Sequence, residues 1–230
     1  MPRRTQFCGE FIYHVMNRAA KRVQLFDANS DYIAVEGLLL KAKMATGIRL
    51  LDYCIMPNHF HFILWPKAAS QMSQFMRRFT GAHAQFWQTA KCSTGSGAVY
   101  QGRYKAIPVQ TGQHFYNVCR YVERNPLRAG LVTRAEEWPW SGLWRRLHGE
   151  HVDLLDPWPI PCPHDWLQTL NAPAEASDVE NVQSAIRRGI PLGDPDWIEK
   201  TAEAVGLKSR LRPPGRPTRT PRKNCTRPLF

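Results

Sequence analysis

The sequence predicts an α+β domain, with helices packed on a ferredoxin-like antiparallel sheet and a small basic extension at the C-terminal end. Three observations carry this. Short alternating apolar runs and longer runs at helical spacing follow one another in the order β-α-β-β-α-β-α, a split β-α-β half followed by another. The 230 residues suffice for one full domain plus an appendage. The charge is uneven: the net charge is +12, and eight of the basic residues lie after position 207, in a stretch without acids that also holds five prolines.

The elements follow in chain order. Phe11–Asn17 reads as the first strand. Asp31–Ala45 reads as a helix, with Ser30 as N-cap and Gly47 ending it. Ile48–Ile55 is strand-like, Met56-Pro57-Asn58 is a turn, and His59–Trp65 is the next strand. Ser70–Ala90 is a long amphipathic helix with Met72, Phe75, Met76, Phe79 and Phe86 on its apolar face. Val99–Val109 supplies a fourth strand after the flexible Ser93–Gly97 loop, and Gly112–Arg124 supplies a third helix. Asp196–Val205 forms a short amphipathic helix through Trp197, Ile198, Ala202 and Val205. Residues 1–150 are expected as the main domain, 151–177 as a Pro-rich linker, and 178–230 as a basic C-terminal module and tail.

Composition excludes several classes. Lys+Arg number 31 against Asp+Glu 19, so polyanions are the natural partners, nucleic acid first and a membrane surface second. No apolar run approaches the roughly 18–20 residues that span a bilayer, and the N-terminus does not read as a secretory signal. The six cysteines include no C-x-x-C pair, which gives neither a common zinc-finger spacing nor a disulfide framework. A reducing cytoplasm fits that usage.

Two constellations carry chemistry. In Asn58-His59-Phe60-His61-Phe62, strand alternation sends His59 and His61 to one face and Phe60 to the other. Two imidazoles about 7 Å apart can share a metal ion, with a third ligand from elsewhere. The bland alternative is an ordinary strand whose histidines are hydrogen-bonded or exposed. The second lies on the third helix. Phe115, Val118, Cys119 and Val122 form its apolar face, and His114, Asn117, Tyr121 and Asn125 form a polar stripe beside it. A tyrosine at such an edge can simply pack its ring with the hydroxyl in water. Pro126 disfavours helical geometry at Asn125. Taken together the two make a reaction centre. A tyrosine can act as covalent nucleophile, and a metal between two histidines and an amide oxygen could orient a phosphate for in-line attack.

The segments Tyr13–Arg18, Met56–Leu64, Tyr100–Lys105, Arg120–Val132 and Trp138–Ser141 make the chain resemble the HUH single-tyrosine transposases, specifically the REP-associated tyrosine transposases. The likeness spans about residues 11–143 and continues more weakly through Arg187–Gly193 to Pro214–Pro217. It implies the HUH nuclease fold and a divalent cation, Mg²⁺ or Mn²⁺, on His59 and His61. Asn125 would be the third ligand, where family members often place Gln. It implies that Tyr121 attacks a single-stranded DNA phosphate, leaving a 5′-phosphotyrosine and a free 3′-OH. Tyr116 is about 140° from Tyr121 on a helix, so the two cannot serve one site, and a single nucleophile is expected.

Arg18, Arg103, Lys105 and Arg120 are expected phosphate contacts around this centre, or else a solvated basic surface. Arg212, Arg216 and Arg219 lie in a Pro-Pro-Gly-Arg-Pro-Thr-Arg segment that reads either as a minor-groove arm or as a generic basic tail. His14 is expected as a packed or hydrogen-bonded histidine rather than a ligand. The leading reading is a metal-dependent DNA nickase and strand transferase acting on hairpins of short palindromic repeats. It would be a monomer or homodimer, cytoplasmic and associated with a bacterial nucleoid. The rival is a non-catalytic hairpin-binding protein on the same fold. A metallohydrolase without a nucleic-acid role leaves the +12 charge unexplained.

Overall fold

The structure, a computed structural model, describes residues 11–91, 97–149 and 153–211. Strands β1 (Ile12–Arg18), β2 (Arg49–Met56), β3 (His59–Trp65) and β4 (Lys105–Val109) form one sheet in the order β2-β3-β1-β4. Each neighbouring pair is antiparallel. This is the expected ferredoxin-like arrangement: β1 and β2 run parallel with β3 between them, a split β-α-β unit.

Helices α1 (Asn29–Thr46) and α2 (Ala69–Ala90) cover one face of the sheet. Strand alternation sends Tyr13, Val15, Phe60, Phe62 and Leu64 into this layer against Val35, Leu39, Met72, Phe75 and Phe79. Each of these ten is no more than 1% exposed, which places the larger core here. Gly47 ends α1 with φ 63°, the left-handed cap expected of it. The N-terminus differs from expectation. The helix begins before Ser30, and the Asp31 carboxylate accepts from the backbone N–H groups of Asp27 and Ala28.

Along α2 the apolar stripe runs through Met72, Phe75, Met76 and Phe79 to His83. Phe86, expected on that face, is 38% exposed. At 22 residues the helix is about 33 Å long against about 23 Å for β3, so its last turns outrun the sheet. The fourth strand is also shorter than expected. Residues 99–104 form a turn through Gly102 (φ 116°), tied back where Tyr100 bridges Ala19.

The other face carries α3 (Gln113–Glu123), running into the short α4 (Asn125–Arg128). Phe115, Val118, Cys119 and Val122, the expected apolar face of α3, are fully buried against Ile12, Ile63, Ile107 and Val109. Helical backbone continues through Asn125 and Pro126, since proline is tolerated in a first helical turn. Helices α5 (Gly142–His148), α6 (Trp166–Asn171), α7 (Ala176–Arg188) and α8 (Pro195–Ala204) complete the described chain. Trp158 donates to the Leu51 carbonyl at 3.0 Å and packs edge-on against Phe115, so the Pro-rich stretch lies along this layer. Val182, Ala185, Ile186 and Leu192 join the same cluster, and Leu192 bridges Val109 at the sheet edge.

A bulge in β2 turns both Leu51 and Asp52 toward α3. There Asp52 and Glu123, both fully buried, share the Arg146 guanidinium, and the Trp166 indole donates to Glu123 at 2.7 Å. Burial and then the neighbouring Asp52 push Glu123 up to about 8. On the opposite face the Tyr53 hydroxyl donates to Glu36 at 2.5 Å, and Arg145 pairs with the same carboxylate. Among the described residues, no helix is long and apolar enough to cross a membrane.

Candidate active site

Three histidines meet on the α3 face. In the β1–β3 register Met16 opposes His61 and Arg18 opposes His59, so positions 14, 16 and 18 of β1 share a face with 59 and 61 of β3. His59 and His61 lie with ring centroids 5.1 Å apart and planes at 80°, on the face that strand alternation dictates. His14 stacks on His61 with centroids 5.1 Å apart, and their Nε2 and Nδ1 atoms are 2.8 Å apart. His14 is therefore hydrogen-bonded rather than idle.

Hydrogen bonding fixes one ring. His59 Nδ1 donates to Asn58 Oδ1 at 2.7 Å, which leaves its Nε2 as a lone pair. Burial sets the charge of all three. Desolvation lowers His14 to about 3. Desolvation, then the charges of Arg18 and Arg128, lowers His59 to about 4. Burial first, and then the other two histidines, hold His61 well below the ordinary imidazole range. At neutral pH the cluster is uncharged, the state in which imidazole nitrogen binds a metal.

Tyr121, half-buried on α3, closes the group. Its ring stands edge-on to His61 at 6.0 Å and to His14 at 6.1 Å. The Arg128 guanidinium carbon lies 4.3 Å from the ring centroid. Thus the H-x-H strand and the tyrosine helix, about 60 residues apart in sequence, are brought together within one chain.

Asn125 is buried one turn beyond Tyr121. Its amide nitrogen donates to the Tyr121 and Val122 carbonyls at 3.1 and 3.2 Å, and its oxygen accepts from Arg128. To ligate a cation that oxygen would have to exchange its bond from Arg128. Among the described residues no three His, Cys, Asp or Glu side chains gather as a complete ligand set. A cation here would take two neutral imidazole nitrogens from the protein and fill its remaining positions with oxygens. Hard divalent ions accept that donor mixture, and Mn²⁺ takes imidazole more readily than Mg²⁺ does.

The expected phosphate contacts are dispersed. Arg18 sits beside His59, while Arg103 and Lys105 are exposed where the chain enters β4. Arg120 is half-buried and donates to the Ala172 and Pro173 carbonyls at 3.1 and 3.0 Å. Arg212, Arg216 and Arg219 lie outside the described residues. Sequence reasoning missed Arg124 and Arg128. With Arg120 they repeat every four residues, a spacing that shares one helix face and was visible in the chain. These three, with Asn117, Tyr121 and Asp178, line a cavity of about 250 Å³ between α3, α4 and the start of α7. Burial, then the charges of Arg120 and Arg128, lowers Arg124 from its ordinary range, as expected for crowded cations facing a single carboxylate.

The family model for IS200-like transposases matches residues 8–125. Among solved structures, a REP-associated tyrosine transposase bound to a REP hairpin superposes with a TM-score of 0.50 at 18% identity, covering 70% of this chain and 94% of that one. A crystal structure from Deinococcus radiodurans R1, provisionally assigned as a transposase, matches with a TM-score of 0.38 at 19% identity, covering 54% and 97% of the two chains. No curated protein matches the sequence. The first of these structures shares the fold described above.

Proposed function

The chain belongs to the IS200-like transposase family, DNA-binding proteins whose activity is strand cleavage and transfer, and on that premise we propose a metal-dependent single-stranded DNA endonuclease and strand transferase. Its substrate would be the hairpin of a short palindromic repeat, the ligand carried by the solved relative of the same fold. The observation that supports this most is the group of three rings: Tyr121 edge-on to His61 and His14, within one chain, under the Arg128 guanidinium.

In this reading Tyr121 is the nucleophile. Its oxygen bonds to phosphorus, the bond from phosphorus to the 3′ oxygen breaks, and the phenolic proton ends on that oxygen. The products are a 5′-phosphotyrosine and a free 3′-OH. The phosphotyrosine conserves the bond energy, so rejoining needs no nucleotide cofactor. His59 and His61 would hold a divalent cation, Mg²⁺ or Mn²⁺, through their Nε2 atoms, with Asn125 as the third protein ligand. When bound, that ion would polarise the scissile phosphate and neutralise charge that builds there. Arg128 holds positive charge beside the Tyr121 ring, where it would face the phosphate under attack. Arg18, Arg103, Lys105 and Arg120 would contact phosphates along the strand. Residues 178–230, with Arg212, Arg216 and Arg219, would help dock the hairpin in a salt-dependent way.

The test is incubation of wild-type and Tyr121→Phe chains with single-stranded repeat hairpins, in Mn²⁺ or in EDTA, followed by a denaturing gel. A protein–DNA adduct with wild type and Mn²⁺ alone is the expected result. Tight hairpin binding with no adduct, unchanged in Tyr121→Phe, would establish instead a DNA-binding protein without nuclease chemistry.

A further inference from the structure

We propose that His14 is a positioning residue for His61, holding that ring in the tautomer whose Nε2 is free to bind a divalent cation. This rests on the two-imidazole cation site proposed above and adds a residue outside the H-x-H element.

One proton lies between His14 Nε2 and His61 Nδ1, which are 2.8 Å apart and buried. It can belong to either ring. If His61 Nδ1 carries it, His61 Nε2 is a lone pair and a ligand. If His14 Nε2 carries it, the neutral His61 holds its own proton on Nε2 and cannot ligate. A cation on Nε2 draws electron density from the ring and makes Nδ1–H a stronger donor, so cation and His14 favour the same tautomer. His59 has the equivalent support from its neighbour Asn58 Oδ1, so each histidine of the pair has an acceptor on Nδ1.

Two further features argue against His14 as mere packing. The buried His14 Nδ1, which carries that ring's own proton in the proposed tautomer, has no hydrogen-bond partner among the described residues, a cost an apolar side chain would avoid. The other strand residues on that face of β1, apart from the terminal Arg18, are Ile12 and Met16, so an apolar residue would suit position 14 if filling were all it did. The ring also touches the third member of the group. Its centroid is 5.1 Å from His61 and 6.1 Å from Tyr121, so it braces ligand and nucleophile at once.

The experiment titrates Mn²⁺ into the full chain and follows the free-ion EPR signal for wild type, His14→Leu, His14→Gln and His61→Ala. Gln offers an acceptor oxygen where His14 offers Nε2, and Leu offers none. Removing the partner of a ligating histidine typically weakens metal binding 10–100-fold. His14→Leu should show that loss, and His14→Gln, which keeps an acceptor, should bind clearly more tightly than His14→Leu. Wild-type affinity in His14→Leu overturns the proposal, and so does equal weakening in both His14 variants, because the ring and not its acceptor would then matter. Undiminished binding in His61→Ala removes the cation site itself and this inference with it, whereas loss there with no effect at position 14 refutes only the role of His14. Should His14→Leu fail to fold, long-range ¹H–¹⁵N correlation spectra of the metal-free wild type decide: a proton on His61 Nδ1 upholds the proposal, and one on Nε2 refutes it.

Discussion

Acidification should weaken the fold through His83, and the structure sets the size of the effect. His83 is 1% exposed on α2, with Phe26 and Phe79 beside it and the Tyr100 hydroxyl 2.6 Å from its Nδ1. Desolvation lowers it to about 4 from 6.5. A histidine depressed in the native state is neutral there while the unfolded chain takes up protons. The stability it contributes is complete above pH 6.5 and is lost as pH falls toward 4. With those two values the loss from His83 alone is about 1.8 kcal/mol between pH 7 and 5, and about 3.4 kcal/mol in full. The clean perturbation is His83→Phe with Tyr100→Phe, which replaces both partners by apolar rings of like shape and leaves no orphaned hydroxyl. Urea unfolding at pH 7 and pH 5, for wild type and the double variant, reads it directly. The variant should lose about 1.8 kcal/mol less across that interval. Parallel losses in the two proteins would refute the assignment of buried, neutral His83 as an acid-sensitive element.

Four further outcomes are expected. Arg146→Met leaves Asp52 and Glu123 buried without their cation and should cost about 3–5 kcal/mol at pH 7, measured by urea unfolding. That loss should shrink on acidification as Asp52 protonates, Glu123 being largely protonated already at pH 7, opposite in direction to the histidine effect. Gly142→Ala places a Cβ onto Asp52 Oδ1 and close to the Tyr53 nitrogen, so its melting temperature should fall sharply while Gly81→Ala, with open space around it, should not lower it. Phe62→Ala opens a cavity between the sheet and α2 and should cost about 3–5 kcal/mol by the same assay. Tyr121→Phe keeps the half-buried ring and should change stability by no more than about 0.5 kcal/mol while abolishing the covalent adduct.

What the sequence disclosed divides along physical lines. Strand and helix periodicity located all four strands and the three sheet-covering helices, because each buries one face and the pattern must repeat at its own period. The H-x-H strand and the tyrosine stripe were equally visible, since both follow from spacing within one element. Contacts between elements were less so, apart from the pairing of the H-x-H strand with Tyr121 that the two constellations and the resemblance implied. Nothing local to His14 says that β1 will lie beside β3 with His14 on His61. His83 was passed over for Phe86 because the limit of burial along α2 is set by where the sheet ends. Asp52, Glu123 and Arg146 are about 70 and 23 residues apart in sequence, and only a β2 bulge brings them together. The oxygen of Asn125 meets Arg128, a local i to i+3 pair that helical continuation through Pro126 permits.

The two faces of the sheet explain why this scaffold can carry reactive groups at all. On the α1–α2 face the strands present Tyr13, Val15, Phe60, Phe62 and Leu64, and that aromatic layer supplies most of the burial. The α3 face of the same strands then has room for polar side chains, and β3 shows the division residue by residue: His59 and His61 alternate with Phe60 and Phe62. Those histidines are uncharged because α3 and α4 cover them, and the same cover brings Tyr121 and Arg128 over them. Desolvation and convergence therefore have one cause. A substitution that loosens α3 from the sheet, such as Val118→Ala, should raise the histidine pKa values toward 6.5 and separate Tyr121 from His61 together. Histidine titration by NMR and yield of the covalent adduct should then change in step across a series of such substitutions. A variant that restores ordinary histidine titration yet keeps full adduct yield would show that the two properties are independent.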